Sequence, residues 1–249
     1  MLSAVLITKN AHHLLKRTLE AVSWADAVLI VDAGSTDGTQ ELAESLGAKV
    51  LLQTEWKGYG YQKNYALSKA EGDWILFLDA DEVVDAKLAA EIQRVTTTDS
   101  GPAGYSMLRV NYFCGEPLRF GNGRPDYVAR LFKKDKGRVS DHRVHERVIV
   151  DGPVERLQGE LRHYTTESIS HRVRKNDEYA TTAAEELYKQ GKRASMLQLL
   201  FLMPLSMFRD LVLKGGILDG KNGVIMAATG AFYSFSKYAK LWEMQQREP

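Results

Sequence analysis

The chain has 249 residues, enough for one substantial core or one core plus a small appendage. Apolar residues make up 44% and charged residues 26%, an ordinary mixture for a folded protein. The 33 Lys and Arg nearly balance the 32 Asp and Glu, and a net charge of +1 argues against bulk nucleic-acid binding.

Cys114 is the only cysteine, which excludes an internal disulfide framework and a cysteine-rich zinc site and fits a reducing compartment. The N-terminal run lacks a basic prelude, and its apolar stretch is too short for a secretory leader. It reads as a first strand over 3–8. Leu14, Leu15, Leu19 and Val22 then recur at helical spacing over 12–24. A strand over 27–31, a helix over 37–46 closed by Gly47, and a strand over 49–52 follow. Next come a helix over 61–70, the central strand 74–78 and a helix over 85–95. This βαβαβαβ pattern predicts an α/β domain with a mostly parallel sheet covered on both faces.

The middle of the chain predicts strands over 105–112, 127–133, 146–150 and 160–164, separated by turn-rich breaks at 115–123 and 134–137. They extend the sheet with mixed or antiparallel pairing and supply acceptor-facing loops. From 168 the pattern is helical: a polar stretch 168–190, a strongly apolar stretch 194–208 interrupted by Pro204, and an apolar and aromatic stretch 224–241. Gly215-Gly216 and Asp219-Gly220 mark a turn between the last two. The expected division is a catalytic domain over 1–167 and a helical appendage over 168–249.

The run Leu76-Phe77-Leu78-Asp79-Ala80-Asp81-Glu82 gathers carboxylates where an apolar strand ends, the place where an open α/β sheet presents ligands. Carboxylates so close repel one another unless a cation, a hydroxyl or a proton intervenes. A divalent metal carrying a diphosphate is the best candidate. On an extended strand end Asp79 and Asp81 project to one side. Asp79 then suits ribose hydroxyls or metal orientation, and Asp81 suits Mg²⁺ or Mn²⁺, hard cations that want oxygen ligands. Glu82 is assigned to supporting the turn. Upstream, Val31-Asp32-Ala33-Gly34-Ser35-Thr36-Asp37-Gly38-Thr39 places Asp32 at a strand terminus, with Ser35 or Thr36 expected to cap the next helix. This is neither a GxGxxG fingerprint nor a Walker loop. A structural strand–turn–helix junction is the plain alternative.

Together with Thr8-Lys9-Asn10, these two segments resemble the family 2 inverting glycosyltransferases of GT-A fold. Gly58-Tyr59-Gly60-Tyr61-Gln62-Lys63-Asn64, Arg130-Leu131-Phe132 and Val144-His145-Glu146 are similar to the lipopolysaccharide core β-glucosyltransferase subgroup. The likeness spans about 2–165. It implies a GT-A-like, mostly parallel mixed sheet flanked by helices, with a C-terminal helical appendage. It also implies a nucleoside-diphosphate sugar donor, UDP-glucose, and a lipid-linked glycan acceptor such as an inner-core heptose, with inversion at the anomeric carbon. Asp32 would contact the nucleobase, Asp79 the ribose, and Asp81 the catalytic metal, Mg²⁺ or Mn²⁺. Thr8, Asn10 and Ser35 join the donor site. Lys63 and Arg130 suit the neutralisation of phosphate charge, with surface residues lying over apolar neighbours as the alternative. His163 would approach the diphosphate or complete the metal shell; a histidine satisfied within the fold is the alternative.

An inverting transfer needs a base for the attacking hydroxyl. The resemblance puts that carboxylate in the charged run 140–147. Glu146 is the first choice and Asp141 the rival, with His145 orienting acid or acceptor. An exposed charged loop is the other option. Adjacent residues on a regular strand face opposite ways, so His145 and Glu146 need not form a dyad. Asn111, Arg124 and Asp126 are candidate acceptor contacts.

The uncharged run 194–208 is shorter than the roughly 20 residues a bilayer span takes. Lys189, Lys192 and Arg193 precede it, and Arg209 and Lys214 follow. Basic flanks with bulky apolar residues fit a membrane interface. A helical hairpin over the catalytic domain or a dimer interface fits as well, so a homo-oligomer stays open. The expected location is the bacterial cytoplasm, peripheral to the inner membrane. Other options are a transferase for polyprenyl-linked or capsule glycans, a nucleotidyltransferase, and an inactive sugar-nucleotide-binding scaffold.

Overall fold

The computed structural model describes residues 1–98, 101–140, 147–166 and 168–247. The chain forms two compact units, one of residues 1–109 and 126–163, the other of residues 110–125 and 164–249.

In the first unit, β1 (Leu2–Thr8), β2 (Ala27–Asp32), β3 (Lys49–Leu52) and β4 (Trp74–Asp79) are parallel, in the order β3-β2-β1-β4. β1, β2 and β4 are almost uninterrupted apolar runs because both faces of this sheet are covered. Alternation along each strand assigns side chains to two cores. Leu76 and Leu78 of β4 join Leu6, Leu15, Leu88 and Ile92 on one face. Ile75 and Phe77 join Val5, Val31, Ala66 and Phe132 on the other. The flanking helices are α1 (His12–Glu20), α2 (Thr39–Ser45), α3 (Tyr59–Lys69) and α4 (Ala86–Thr96). Asp85 caps α4 by accepting the Leu88 N–H at 2.7 Å. α2 is organised by Asp37, whose carboxylate takes the Thr39 N–H at 3.1 Å and the Thr39 hydroxyl. Neither Ser35 nor Thr36, the expected caps, caps this helix: its N-cap is Gly38, the Ser35 hydroxyl donates to Asp32, and the Thr36 backbone N–H bonds Asn10.

The middle strands extend the sheet, with antiparallel pairs among them, as expected. β5 (Glu82–Val84), β6 (Gly104–Phe113), β8 (Asp126–Lys133) and β11 (Val154–Thr166) complete the order β3-β2-β1-β4-β8-β6-β11-β5. β9 (Gly137–Val139) and β10 (Val148–Val150) form a separate antiparallel ribbon. The three-residue β5 was not foreseen. It is too short for a periodicity signal and exists by pairing with β11, where His163 lies opposite Glu82.

In the second unit, the two-residue β7 (Glu116–Pro117) pairs with the end of β6. α5 (Ile169–Lys189) and α6 (Met196–Phe208) both pack on α7 (Gly220–Gln246). Small buried residues, Ala180 and Ala184 on α5 and Ala227 and Ala231 on α7, allow close helix approach. α6 opens with a Ser195/Gln198 capping box and runs through Pro204 without ending there. Proline removes one N–H donor, and the helix continues on the bonds around it. A π-helical turn, Arg209–Leu213, extends α6. The apolar stretch Met196–Leu213 is long and apolar enough to cross a membrane by length and composition, and it is largely exposed. Asp210 is buried and bonded to Arg209, Lys214 and Asn122, while Asp219 accepts the N–H groups of Arg119 and Phe120.

Candidate active site

The parallel register sets Thr8 beside Asp32 and Ile7 beside Asp79, so three strand ends converge at one edge of the sheet. Asp32 is fully buried there. Its Oδ1 accepts the N–H groups of Gly34 at 2.9 Å and Ser35 at 2.7 Å, and the Gln40 amide at 2.9 Å. Its Oδ2 accepts the hydroxyls of Thr8 at 2.8 Å and Ser35 at 2.5 Å. Gly34 takes a φ of 88°, which lets the turn fold back onto the carboxylate. Asn10 lies alongside, its N–H on the Ser35 hydroxyl at 2.8 Å and its side-chain oxygen accepting Thr36 N–H at 2.9 Å.

One strand over, Asp79 sits between two cations. Lys63 Nζ lies 2.8 Å from Oδ1, and an Arg130 guanidinium nitrogen donates to Oδ2 at 2.7 Å. Lys63 projects from α3 and Arg130 from β8; both are buried. Desolvation opposes ionisation of Asp79, but the charges of Arg130 and Lys63 outweigh it and hold the carboxyl well below the usual carboxylate range. Arg130 also bonds the fully buried Glu82 through Nε at 2.9 Å and a terminal nitrogen at 2.7 Å. Burial works against the arginine charge, while Glu82 and Asp79 raise its pKa above the ordinary value. Glu82 additionally accepts the Asp79 N–H at 3.1 Å. It does support the turn, as expected, and it is also the buried counter-charge that fixes Arg130. Nothing in the linear motif distinguishes that role from an exposed turn acid.

Asp81 lies beside this network, its charge adding to those that raise the Arg130 pKa. Its Oδ1 is 3.4 Å from His163 Nε2, and both side chains are partly exposed. A carboxylate oxygen and an imidazole nitrogen at a wet edge are donors of the kind a divalent ion accepts. Among the described residues no cluster of three or more His, Cys, Asp or Glu forms a metal site.

Lys63, Asp79, Arg109, Asp126, Arg130 and Arg147 line a cavity of about 620 Å³. Arg109 grips Asp126 through Nε at 3.1 Å and a terminal nitrogen at 2.9 Å. Arg109 carried no assignment from sequence, because an isolated arginine on a strand has no local signature; Arg147 closes the charged run 140–147 and was given no role of its own. Asn111 and Arg124 belong to the second unit; the Asn111 amide donates to the Gly123 carbonyl at 3.2 Å, and Arg124 is exposed. Asp141, His145 and Glu146 lie outside the described residues.

The sequence pattern of Glycosyl transferase family 2 matches residues 3–148, which include both aspartate-bearing strand ends and all the cavity residues just named. The chain belongs to glycosyltransferase family 2. This glycosyltransferase is 31% identical over 248 residues to the lipopolysaccharide core biosynthesis glycosyltransferase LpsC of Rhizobium meliloti (strain 1021), covering 97% of this chain and 92% of that one. It is 30% identical to an uncharacterized glycosyltransferase of Rickettsia bellii (strain RML369-C), covering 98% and 86%. Among solved structures, S. aureus TarS 1-349 superposes with a TM-score of 0.45 and 13% identity, covering 100% of this chain and 92% of that one. At that score the likeness does not bear on the chemistry of this chain. The mixed sheet, flanked by helices and followed by C-terminal helices, is the GT-A-like architecture implied by the sequence resemblance.

Proposed function

We propose that this family 2 glycosyltransferase moves glucose from UDP-glucose to a lipopolysaccharide inner-core or related lipid-linked glycan, inverting the anomeric configuration. The observation that carries the proposal is full-length similarity to a lipopolysaccharide core biosynthesis enzyme, combined with an Asp81–His163 pair beside the Asp79 charge network. Asp81 and His163 would hold Mg²⁺ or Mn²⁺, and the ion, when bound, neutralises charge on the departing diphosphate. Asp79, held ionised and oriented by Lys63 and Arg130, accepts from ribose hydroxyls. The acceptor oxygen attacks the anomeric carbon on the face opposite UDP, the carbon–oxygen bond to the diphosphate breaks, and the hydroxyl proton passes to Glu146, with Asp141 as rival base. Thr8, Asn10, Asp32 and Ser35 shape the strand-end bed of the donor. Asn111, Arg124, Asp126 and His145 are assigned to the acceptor.

The enzyme meets its acceptor at the cytoplasmic face of the inner membrane, as a peripheral protein. Met196, Leu197, Leu200, Phe201, Leu205 and Phe208 of α6 are more than half exposed, and Lys189, Lys192 and Arg193 precede them. That combination suits an in-plane helix on an anionic surface.

The test is incubation of the purified protein with Mg²⁺ or Mn²⁺, a panel of nucleotide sugars and a lipid-A–core extract, followed by the acceptor's mass. A hexose increment that requires UDP-glucose is expected. No increment with any donor, in folded protein that binds UDP, rejects this acceptor assignment.

A further inference from the structure

The cavity of about 620 Å³ beside Asp79 is lined by the cations Lys63, Arg109, Arg130 and Arg147. The first three are engaged. Lys63 Nζ lies 2.8 Å from Asp79. Arg130 is held by Asp79 and by Glu82, each at 2.7 Å. Arg109 is held by Asp126 at 2.9 Å, with Glu82 at 3.6 Å. Arg147 differs: it is exposed, and among the described residues no carboxylate pairs with its side chain. A guanidinium already on a carboxylate must share or surrender that partner to take a second anion. An unengaged one offers its whole planar fork to a phosphate or carboxylate.

The backbone of Arg147 is also tied down at both of its polar groups, unlike that of an ordinary surface arginine. Its N–H donates to Ser140 Oγ at 2.9 Å, and its carbonyl accepts the Ser140 N–H at 2.9 Å. The adjacent pair along the β9–β10 ribbon is Val139 with Val148. Asn64 of α3 clamps Val139 from outside the ribbon. Asn64 Nδ2 donates to the Val139 carbonyl at 2.9 Å, and Asn64 Oδ1 accepts the Val139 N–H at 3.0 Å. A side-chain amide carries a donor and an acceptor side by side, as a peptide group does, so Asn64 pairs with the ribbon edge as a neighbouring strand would. The ribbon is seated as well as clamped. Gly137 lies flat on Phe132, where an added Cβ would strike the ring, and Val148 and Val150 pack against the core that contains Phe132. Asn64 directly follows Lys63, so one turn of α3 grips both Asp79 and the ribbon that carries Arg147.

We infer that Arg147 is an anion-binding residue of this cavity and that Asn64 is its positioning residue, acting through Val139 and the ribbon. The ligand is an oxyanion on a substrate, either the diphosphate of the donor or a phosphate or carboxylate of the acceptor glycan. The inference deepens the proposed function and rests on its reading of the cavity as a substrate site. Asn64 touches no ligand in this arrangement. It sets where the guanidinium can reach.

The experiment is calorimetric titration of the full chain with inorganic pyrophosphate, in the presence of a chelator, for wild type, Arg147→Met, Arg147→Lys, Asn64→Asp and the double variant Asn64→Asp with Arg147→Met. Wild type is expected to bind, and Arg147→Met to bind at least about tenfold more weakly, the scale of one lost charge-assisted hydrogen bond. Arg147→Lys should recover part of the loss, because it keeps the charge without the fork. Asn64→Asp sets a carboxylate oxygen against the Val139 carbonyl and should weaken binding in the wild-type background. It should add nothing in the Arg147→Met background, since a positioning residue has no effect once the group it positions is gone. Asn64→Ala replaces it in the same cycle if the aspartate unseats the fold. Absence of pyrophosphate binding in wild type overturns the inference, as does undiminished binding in Arg147→Met. An equal loss from the Asn64 change in both backgrounds overturns its positioning role. Parallel titrations with UDP and UMP identify the source of the anion: a lower UDP preference in Arg147→Met assigns the donor diphosphate. An unchanged preference with a raised KM for the acceptor assigns the acceptor. No transfer from UDP-glucose alongside Arg147-dependent pyrophosphate binding removes the proposed reaction and keeps the anion site.

Discussion

His163 Nε2 lies 3.4 Å from Asp81 Oδ1, although 82 positions separate the two residues. The antiparallel pairing of β11 with β5 sets His163 opposite Glu82, one residue from Asp81. A short strand that buries Glu82 thus also delivers an imidazole to the partly exposed carboxylate beside it.

If this pair holds the divalent ion, Asp81→Asn and His163→Gln should each lower Mn²⁺ affinity and cut transfer by about 100-fold, the scale of lost charge stabilisation at a leaving diphosphate. Mn²⁺ titration by electron paramagnetic resonance, alongside turnover with UDP-glucose, checks this. Wild-type turnover in Asp81→Asn would place the ion elsewhere.

The Arg130–Glu82 pair is buried, so its halves are unequal to remove singly. Arg130→Met leaves the Glu82 charge without its main partner and should destabilise the fold by about 3–5 kcal/mol. The double variant Arg130→Met with Glu82→Leu should recover a large part of that loss, because no buried charge is then stranded. Denaturant melts of the single and double variants measure the coupling. Additive losses would show that the pair does not act as a unit.

Asp79 has a folded-state pKa depressed below the unfolded carboxylate value of 3.8. The linkage sign follows directly. A group with a depressed folded pKa contributes stability that is present above the unfolded pKa and lost as pH falls through the folded one. Wild type should therefore lose stability steeply below about pH 4. Asp79→Asn should be less stable at neutral pH and show a shallower acid slope. Thermal melts from pH 7 down to pH 3 test this; identical slopes would mean that Asp79 is not the group responsible.

The exposed face of α6 predicts lipid binding. Leu200→Glu with Phe201→Glu should abolish co-sedimentation with vesicles containing anionic lipid, leaving the fold intact because both side chains are more than half exposed. Lys192→Glu with Arg193→Glu should weaken binding at low salt and much less at high salt, as expected for screened surface charge. Unchanged sedimentation in the apolar variant would assign this face to protein contact.

The parallel half of the sheet and its helices were legible because their signals are local. Apolar runs, helical spacing, and glycines after helices fall within windows of ten or so residues. The convergence of Asp32 and Asp79 was legible for the same reason, since carboxylates that end apolar strands of one parallel sheet must share an edge. The capping of α2 was misassigned because the helix starts after Gly38 rather than near Asp37, and the Ser35 hydroxyl is taken by Asp32. Pro204 was read as an interruption from its chemistry alone, yet the helix continues through it.

The sequence by itself determined a family, an order of strands and helices, and an acidic edge, because these depend on residue type and short spacing. Tertiary structure alone decided that Glu82 is buried against Arg130, that His163 reaches Asp81, that Asp32 is filled by its own turn, and that Gln62 keeps an unpaired oxygen. Those facts arise from pairings between segments far apart in the chain. Burial and the count of available donors are properties of the assembled site, and no local pattern encodes them.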